Sequence, residues 1–235
     1  MVYDPCLSIN LPFGKANKHF FQLFKSILEV SDRFIRYKVQ CGDKHSNYID
    51  HIERVFAYEL YRHWANNIES GKEDIMLNAE INKVININSI ASIIDDEKSC
   101  FKEITLYPDM VLHHSHSDDK NQIMICEIKR NHKLSGSKIF GDLYKISCYM
   151  TKGIFGEDKK QYKYGVFVIV GSKLSVIKNR VTSKTEIKKN EEKFIFSDFI
   201  KDKSLSPSFK RIVCIAYDGK TLEYDTLNKI ISDIK

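Results

Sequence analysis

Gln122–Arg130 reads QIMICEIKR. In an extended chain successive side chains point to opposite faces. One face then carries Ile123, Ile125, Glu127 and Lys129, and the other carries Met124, Cys126, Ile128 and Arg130. Both faces begin apolar, as in a central strand covered on both sides. One of them then turns abruptly to a carboxylate and an ammonium two residues apart. Burying charge is costly unless it is paired or bound to metal, so this strand end needs an explanation, the bland one being a cross-strand ion pair at a sheet edge.

The segment upstream supplies a second acid. Ile104–Leu112 is expected to be a strand, with Asp109 and Val111 on one face. Pro108 cannot donate to a ladder, so it marks a strand start, an edge or a bulge. If the two strands pair through the polar loop His113–Asn121, Asp109 approaches Glu127. Two carboxylates converging at a strand end make a hard oxygen site suited to Mg2+ or Mn2+. A neighbouring lysine relieves their repulsion and is placed to stabilise developing phosphate charge. His113, His114 and His116, with Asp118 and Asp119, are read as a solvated loop, with an accessory metal role as the minor alternative.

Outward from this pair, helices and strands alternate. Phe20, Phe24, Ile27 and Leu28 recur at helical spacing. A second helix is expected after Asp50, with the stripe Ile52, Phe56, Leu60 and Trp64 and with Asp50 as its cap. A polar turn, Glu69–Asp74, precedes a strand over Ile75–Ile81, with further branched residues to Ile90; Ile90–Ile94 is left open between helix and loop. A helix over Ser137–Met150 and a doubly buried strand over Tyr164–Val170 follow. Lys184–Lys193 reads as a solvated break, and Lys193–Lys203 as helical. Arg211–Tyr217 and Thr221–Tyr224 flank Asp218-Gly219, a hairpin turn. The expected class is α/β, a central mixed β-sheet flanked by helices on both faces. It forms a single domain with a helical extension (1–47), a core (48–171) and a C-terminal addition with a hairpin (172–235).

Pro108-Asp109 followed by Glu127-Ile128-Lys129, within a helix, three strands, helix, strand order, resembles the signature and core of the PD-(D/E)XK nucleases. The resemblance covers about residues 50–171 and marks the chain as a divergent relative with a restriction-endonuclease-like core. It implies that Asp109 and Glu127 bind Mg2+ or Mn2+, completed by the backbone carbonyl of Ile128. It implies that Lys129 orients the attacking water or neutralises the phosphate. Many relatives add a glutamate from the first core helix. Glu53 and Glu59 compete for that role here, and Glu53 is preferred because it lies within the apolar stripe. Its bland reading is a capping box with Asp50; that of Glu59 is a surface ion pair. On the helix after the signature, Asp142, Lys145 and Tyr149 share a face. There Lys145 and Tyr149, with Arg130 from the strand end, are candidates for contacting a nucleic-acid backbone, set against an ordinary solvated face.

Composition sets the outer bounds. Of 235 residues, 43% are hydrophobic and 29% charged, a globular balance. The net charge of +6 leans towards a polyanionic partner. Six cysteines form no CxxC pair, which removes zinc-ribbon spacing and points to reduced thiols in a cytoplasm. No apolar run approaches a membrane span, and the N-terminal stretch lacks a secretory pattern. Walker, GxGxxG, HExxH and GxSxG motifs are missing. The expected activity is metal-dependent hydrolysis of nucleic acid, DNA foremost. The alternative is a non-catalytic nucleic-acid-binding or protein-interaction module of the same fold. A homodimer is left open, since cutting both strands of a duplex often uses two sites.

Overall fold

A computed structural model describes residues 2–3, 11–36, 48–69, 74–79, 83–85, 104–106, 108–114, 122–130, 134–151, 161–189 and 192–234. The expectations for Ile90–Ile94, His116, Asp118 and Asp119 lie outside these residues. After strand β1 (Val2–Tyr3), three helices follow: α1 (Asn17–Glu29), α2 (Arg33–Arg36) and α3 (Tyr48–Glu69). Strands β2 (Ile75–Ala79), β3 (Lys83–Ile85), β4 (Ile104–Leu106), β5 (Met110–His114) and β6 (Gln122–Arg130) come next. Helix α4 (Gly136–Tyr149), β7 (Tyr164–Val170), α5 (Leu174–Arg180), β8 (Glu186–Lys189) and β9 (Glu192–Ile195) continue the chain. It closes with α6 (Phe196–Lys201), α7 (Ser206–Phe209), β10 (Ile212–Tyr217), β11 (Leu222–Thr226) and α8 (Leu227–Ser232).

Seven strands form one mixed sheet in the order β1-β11-β10-β7-β6-β5-β2. β6, β7 and β10 run parallel, while β5 and β2 on one side and β11 and β1 on the other are antiparallel additions. The central place of β7, between parallel β6 and β10, explains the continuous apolar run of Tyr164–Val170, because parallel strands are covered on both faces. Met124, Cys126 and Ile128 face one layer with Val166 and Val168, packed against Phe20, Phe24 and Ile27 of α1 and Phe56, Leu60 and Trp64 of α3. Ile125, Phe167 and Ile169 face the other layer with Ile139, Phe140, Leu143 and Ile146 of α4. The sheet is therefore α/β, with helices on both faces.

Several sequence expectations shift. The expected strand Ile104–Leu112 is two strands: β4 pairs with β3 in a separate ribbon, and β5 enters the main sheet. Pro108, which offers no N–H to a ladder, lies between them with Asp109. Helix α3 already includes Tyr48, so Asp50 lies within its first turn and does not cap it. The Lys184–Lys193 stretch contains a β-ribbon, β8 with β9, in which Ile187 lies opposite Phe194. Those two residues pack against the α4 side of the core, so the lysines disguised a strand with one apolar face. The expected helix Lys193–Lys203 is part of that ribbon and then the short α6.

Within the expected helical extension, α1 contributes Phe20, Leu23, Phe24 and Ile27, all with no exposure, to the core. The C-terminal addition places β10 inside the sheet beside β7. The Asp218-Gly219 turn forms as expected: Gly219 has φ of 92°, and Asp218 Oδ1 accepts from the backbone N–H of Lys220 and Thr221. Cys126, Cys148 and Cys214 are buried, Cys126 and Cys214 as free thiols. Among the described residues, no helix is long and apolar enough to cross a membrane.

Gly165 opens β7 where α4 and β10 press closest. A Cβ there would fall on Ile146 Cγ2 and within 2.7 Å of Met150 Sδ. Overpacking of this kind costs about 1–3 kcal/mol. Gly165→Ala is expected to lower the melting temperature by several degrees in a thermal melt followed by circular dichroism. An unchanged melting temperature would show that the α4–β7 contact is looser than described.

Candidate active site

The charged side chains of β6 gather at its C-terminal end, the end where open α/β sheets bind their ligands. Glu127 projects towards α4. It is only 1% exposed, and its Oε2 lies 2.6 Å from Lys145 Nζ. Two positions on, Lys129 Nζ donates to Glu53 Oε1 and to the Ile128 carbonyl, each at 3.2 Å. It also lies 3.7 Å from Asp142 Oδ2. Asp142 and Lys145 sit one turn apart on α4, with Oδ1 and Nζ 3.7 Å apart. Asp109, at the entry to β5, accepts the Ile128 N–H through Oδ2 at 2.6 Å.

Glu53 reaches this cluster from α3. Besides Lys129 it accepts the backbone N–H of Arg130 at 3.0 Å, tying the helix to the strand end. Glu59 instead pairs with Arg62 at 2.8 Å on the helix surface, so of the two competing glutamates Glu53 stands at the site. Arg130 donates through Nη2 to the Ile35 carbonyl at 2.8 Å.

Tyr149 has no exposed surface and packs edge-on against Tyr162, 6.1 Å between ring centroids. The stripe Asp142, Lys145, Tyr149 is thus not a solvated face, and the tyrosine has no exposed surface to offer a phosphate. A phenol end made the helix read as more polar than it is, since tyrosine buries most of its body readily. His113 is also buried, with Nε2 2.7 Å from Asn78 Nδ2 and Nδ1 2.8 Å from the His114 carbonyl.

Asp142 was missed as a site residue. Its signal was available: an acid and a lysine three apart, on the helix that immediately follows the Glu-Ile-Lys strand end.

The electrostatics follow from burial. Desolvation raises the pKa of Asp109 above the ordinary aspartate value, against the lowering influence of Lys129 and the Ile128 N–H. Glu127 is raised further, by desolvation and then by the nearby Asp109 and Asp142 charges, although Lys145 opposes this. Asp142 is raised for the same first reason. Burial works against the Lys129 ammonium, but Asp142, Glu53, Asp109 and Glu127 outweigh it and hold its pKa above the usual lysine value.

The donors are hard oxygens, as Mg2+ or Mn2+ requires. Both Glu127 carboxylate oxygens and Asp142 Oδ2 are buried; Oε1 has no partner among the described residues, and Oε2 and Asp142 Oδ2 meet their lysines as ion pairs without hydrogen-bond geometry. In chemistry the site therefore fits a divalent cation. In the geometry described it is not yet a chelate: among the described residues no group of three His, Cys, Asp or Glu side chains is set to hold a metal. Two ammonium groups stand among the carboxylates instead. No family model, curated protein or solved structure matches the chain.

A carboxyl whose folded pKa exceeds its unfolded value binds more protons when folded, so stability falls as pH rises through that window. For Asp109 the penalty is absent below the ordinary aspartate range and complete above the raised value. Asp109→Asn is therefore expected to raise the melting temperature at pH 8 by a few degrees, where about 2–4 °C corresponds to 1 kcal/mol at this chain size. The two melting temperatures should converge near pH 4, measured by differential scanning fluorimetry across the pH series. A gain of equal size at every pH would place its origin outside the carboxylate.

Proposed function

We propose that this protein is a metal-dependent nuclease of PD-(D/E)XK type, hydrolysing phosphodiester bonds of nucleic acid, DNA before RNA. The observation that supports the reading is that Asp109, at the entry to β5, and Glu127 and Lys129, at the end of β6, lie near enough to act on one another's charge, with Glu53 from α3 bonded to Lys129. The order α3, β2, β5, β6, α4, β7 agrees with a restriction-endonuclease-like core. The net charge of +6 suits a polyanionic substrate.

Asp109 and Glu127 would hold Mg2+ or Mn2+, with the Ile128 carbonyl beside them. When bound, the cation supplies Lewis acidity towards the phosphate and a more acidic attacking water. The chain's own residues do the rest. Glu53 orients Lys129 and locks the end of β6 through the Arg130 N–H. Lys129 keeps its proton, because four carboxylates hold its pKa up, so it acts as a fixed positive charge facing the developing phosphate charge. Asp109, through the Ile128 N–H, fixes the backbone that carries the carbonyl.

A second reading, a nucleic-acid-binding module without catalysis, draws on one observation: the lysines lie among the carboxylates with no ready-made metal group. One assay separates the two. Purified protein is incubated with plasmid, linear duplex and single-stranded substrates in Mg2+ or Mn2+, with a chelator control. Cleavage is expected with either cation and none with chelator. Asp109→Ala and Lys129→Ala should each lower the rate about 100-fold or more, the scale for losing one preorganised charge partner. Equal cleavage by wild type and both variants removes these residues from the chemistry. Salt-sensitive binding with no cleavage under any cation selects the binding module.

A further inference from the structure

The ion pair between Glu127 and Lys145 stands in the way of the reaction that the site is built for. Glu127 contributes the most deeply buried carboxylate of the group, and Lys145 Nζ covers its Oε2 at 2.6 Å. Among the described residues, four carboxyl groups (Glu53, Asp109, Glu127, Asp142) gather about two ammonium groups (Lys129, Lys145). The formal deficit is two positive charges, the charge of one divalent cation. Glu127 Oε1 and Asp142 Oδ2 remain buried, the first without a partner among the described residues. Among the described residues the site is therefore short of cationic charge, yet one of its two cations occupies a ligand that a metal needs.

Lys145 differs from Lys129 in how firmly it is held. Lys129 is fixed by Glu53 and by the Ile128 carbonyl. Among the described residues, Lys145 pairs with Glu127 and, at 3.7 Å, with Asp142, and 16% of its side chain faces solvent. An ammonium on a flexible four-carbon stem can exchange one anionic partner for another. A phosphate of the nucleic-acid backbone is such a partner.

We propose that Lys145 is a built-in counter-ion that keeps Glu127 from binding a divalent cation until a nucleic-acid phosphate draws the ammonium away. This rests on the nuclease reading and adds a regulation to it: cation and nucleic acid bind cooperatively, because each removes the partner that opposes the other. Coupling of this kind is reciprocal, so the cation tightens nucleic-acid binding by the same factor. Lys145 is a positioning residue for the cation site and a phosphate contact, in place of a member of the catalytic pair.

The test is isothermal titration of Mn2+ at pH 8 into wild type, Lys145→Met and Lys145→Gln. Each is titrated alone and with a phosphorothioate-linked 20-base-pair duplex, with the duplex alone as blank and thermal melts to establish folding. Wild type is expected to bind Mn2+ weakly alone and at least about tenfold more tightly with the duplex. Either folded variant should bind Mn2+ at least about tenfold more tightly than wild type in the free protein, as removal of an adjacent charge dictates, and should lose most of the coupling. If the variants fail to fold, the wild-type coupling alone decides, and its absence overturns the proposal. Mn2+ affinity and coupling unchanged in folded variants, with wild type still cleaving DNA, also overturns it and leaves the nuclease reading standing. No Mn2+ binding by any protein under either condition, with no cleavage, removes the nuclease reading itself.

Discussion

A carboxylate at 1% exposure in the layer between a sheet and a helix survives only with a partner. Glu127 has one, Lys145, and the placement of α4 follows from that need. Two residues upstream, Ile125 meets the apolar face of α4 through the core that also holds Ile139, Leu143 and Ile146. The helix thus docks by hydrophobic burial along most of its length and by charge at one point. The same strand serves the opposite layer with Met124, Cys126 and Ile128, none of them exposed. β6 is therefore pinned from both sides, and its polar end inherits a fixed position from the apolar packing before it.

This division of labour explains why the site is tolerated at all. Three of its four acids have raised pKa values, with desolvation the first cause in each. Each is costly as an anion, and the sheet around them supplies the offsetting stability. Buried Phe, Leu and Ile side chains contribute about 1.5–3 kcal/mol each, and both cores hold many of them. Clusters of buried acids with perturbed pKa values on a rigid scaffold are found more often at functional sites than elsewhere.

Much of this was legible in the sequence because β6 has a period of two and its polar switch falls on one face. Glu127 and Lys129 could be placed on a strand end from nine residues alone, and the strand bounds Gln122–Arg130 agree with the structure. Glu53 was legible through the stripe that includes Phe56 and Leu60, both fully buried. What the sequence hid depends on elements far apart in the chain. The closest partner of Glu127 is Lys145, eighteen residues away, reached only after a helix folds back over the strand. Tyr149 was misread because its hydroxyl suggested a wet face on a helix that is buried there. The ribbon β8–β9 was hidden by lysines, since Ile187 stands between Glu186 and Lys188, and the apolar Phe194-Ile195-Phe196 was read as part of the helix that follows. Pro108 announced a break, but only the pairing of β4 with β3 decided that the break separates two sheets.

The position of Asp109 shows how that break becomes useful. Had β4 and β5 been one ladder strand, the residue before Met110 would have faced its partner in regular register, with its carboxylate committed to a sheet face. Pro108 ends the ladder, and Asp109 stands free of strand pairing, half-buried, able to turn its Oδ2 onto the Ile128 N–H across the gap. The bond clamps the backbone between Glu127 and Lys129, so the carboxylate and the ammonium on either side are held by a third acid rather than by each other. Glu53 performs the matching task one residue further on, at the Arg130 N–H. Two acids from outside β6 thus hold consecutive stretches of its backbone, at the end where its apolar residues give way to charged ones. A site whose acids double as backbone anchors cannot lose one of them by charge alone: substitution changes the strand end as well as the electrostatics, which is why isosteric amides, retaining an acceptor oxygen, are the informative replacements at Asp109 and Glu53.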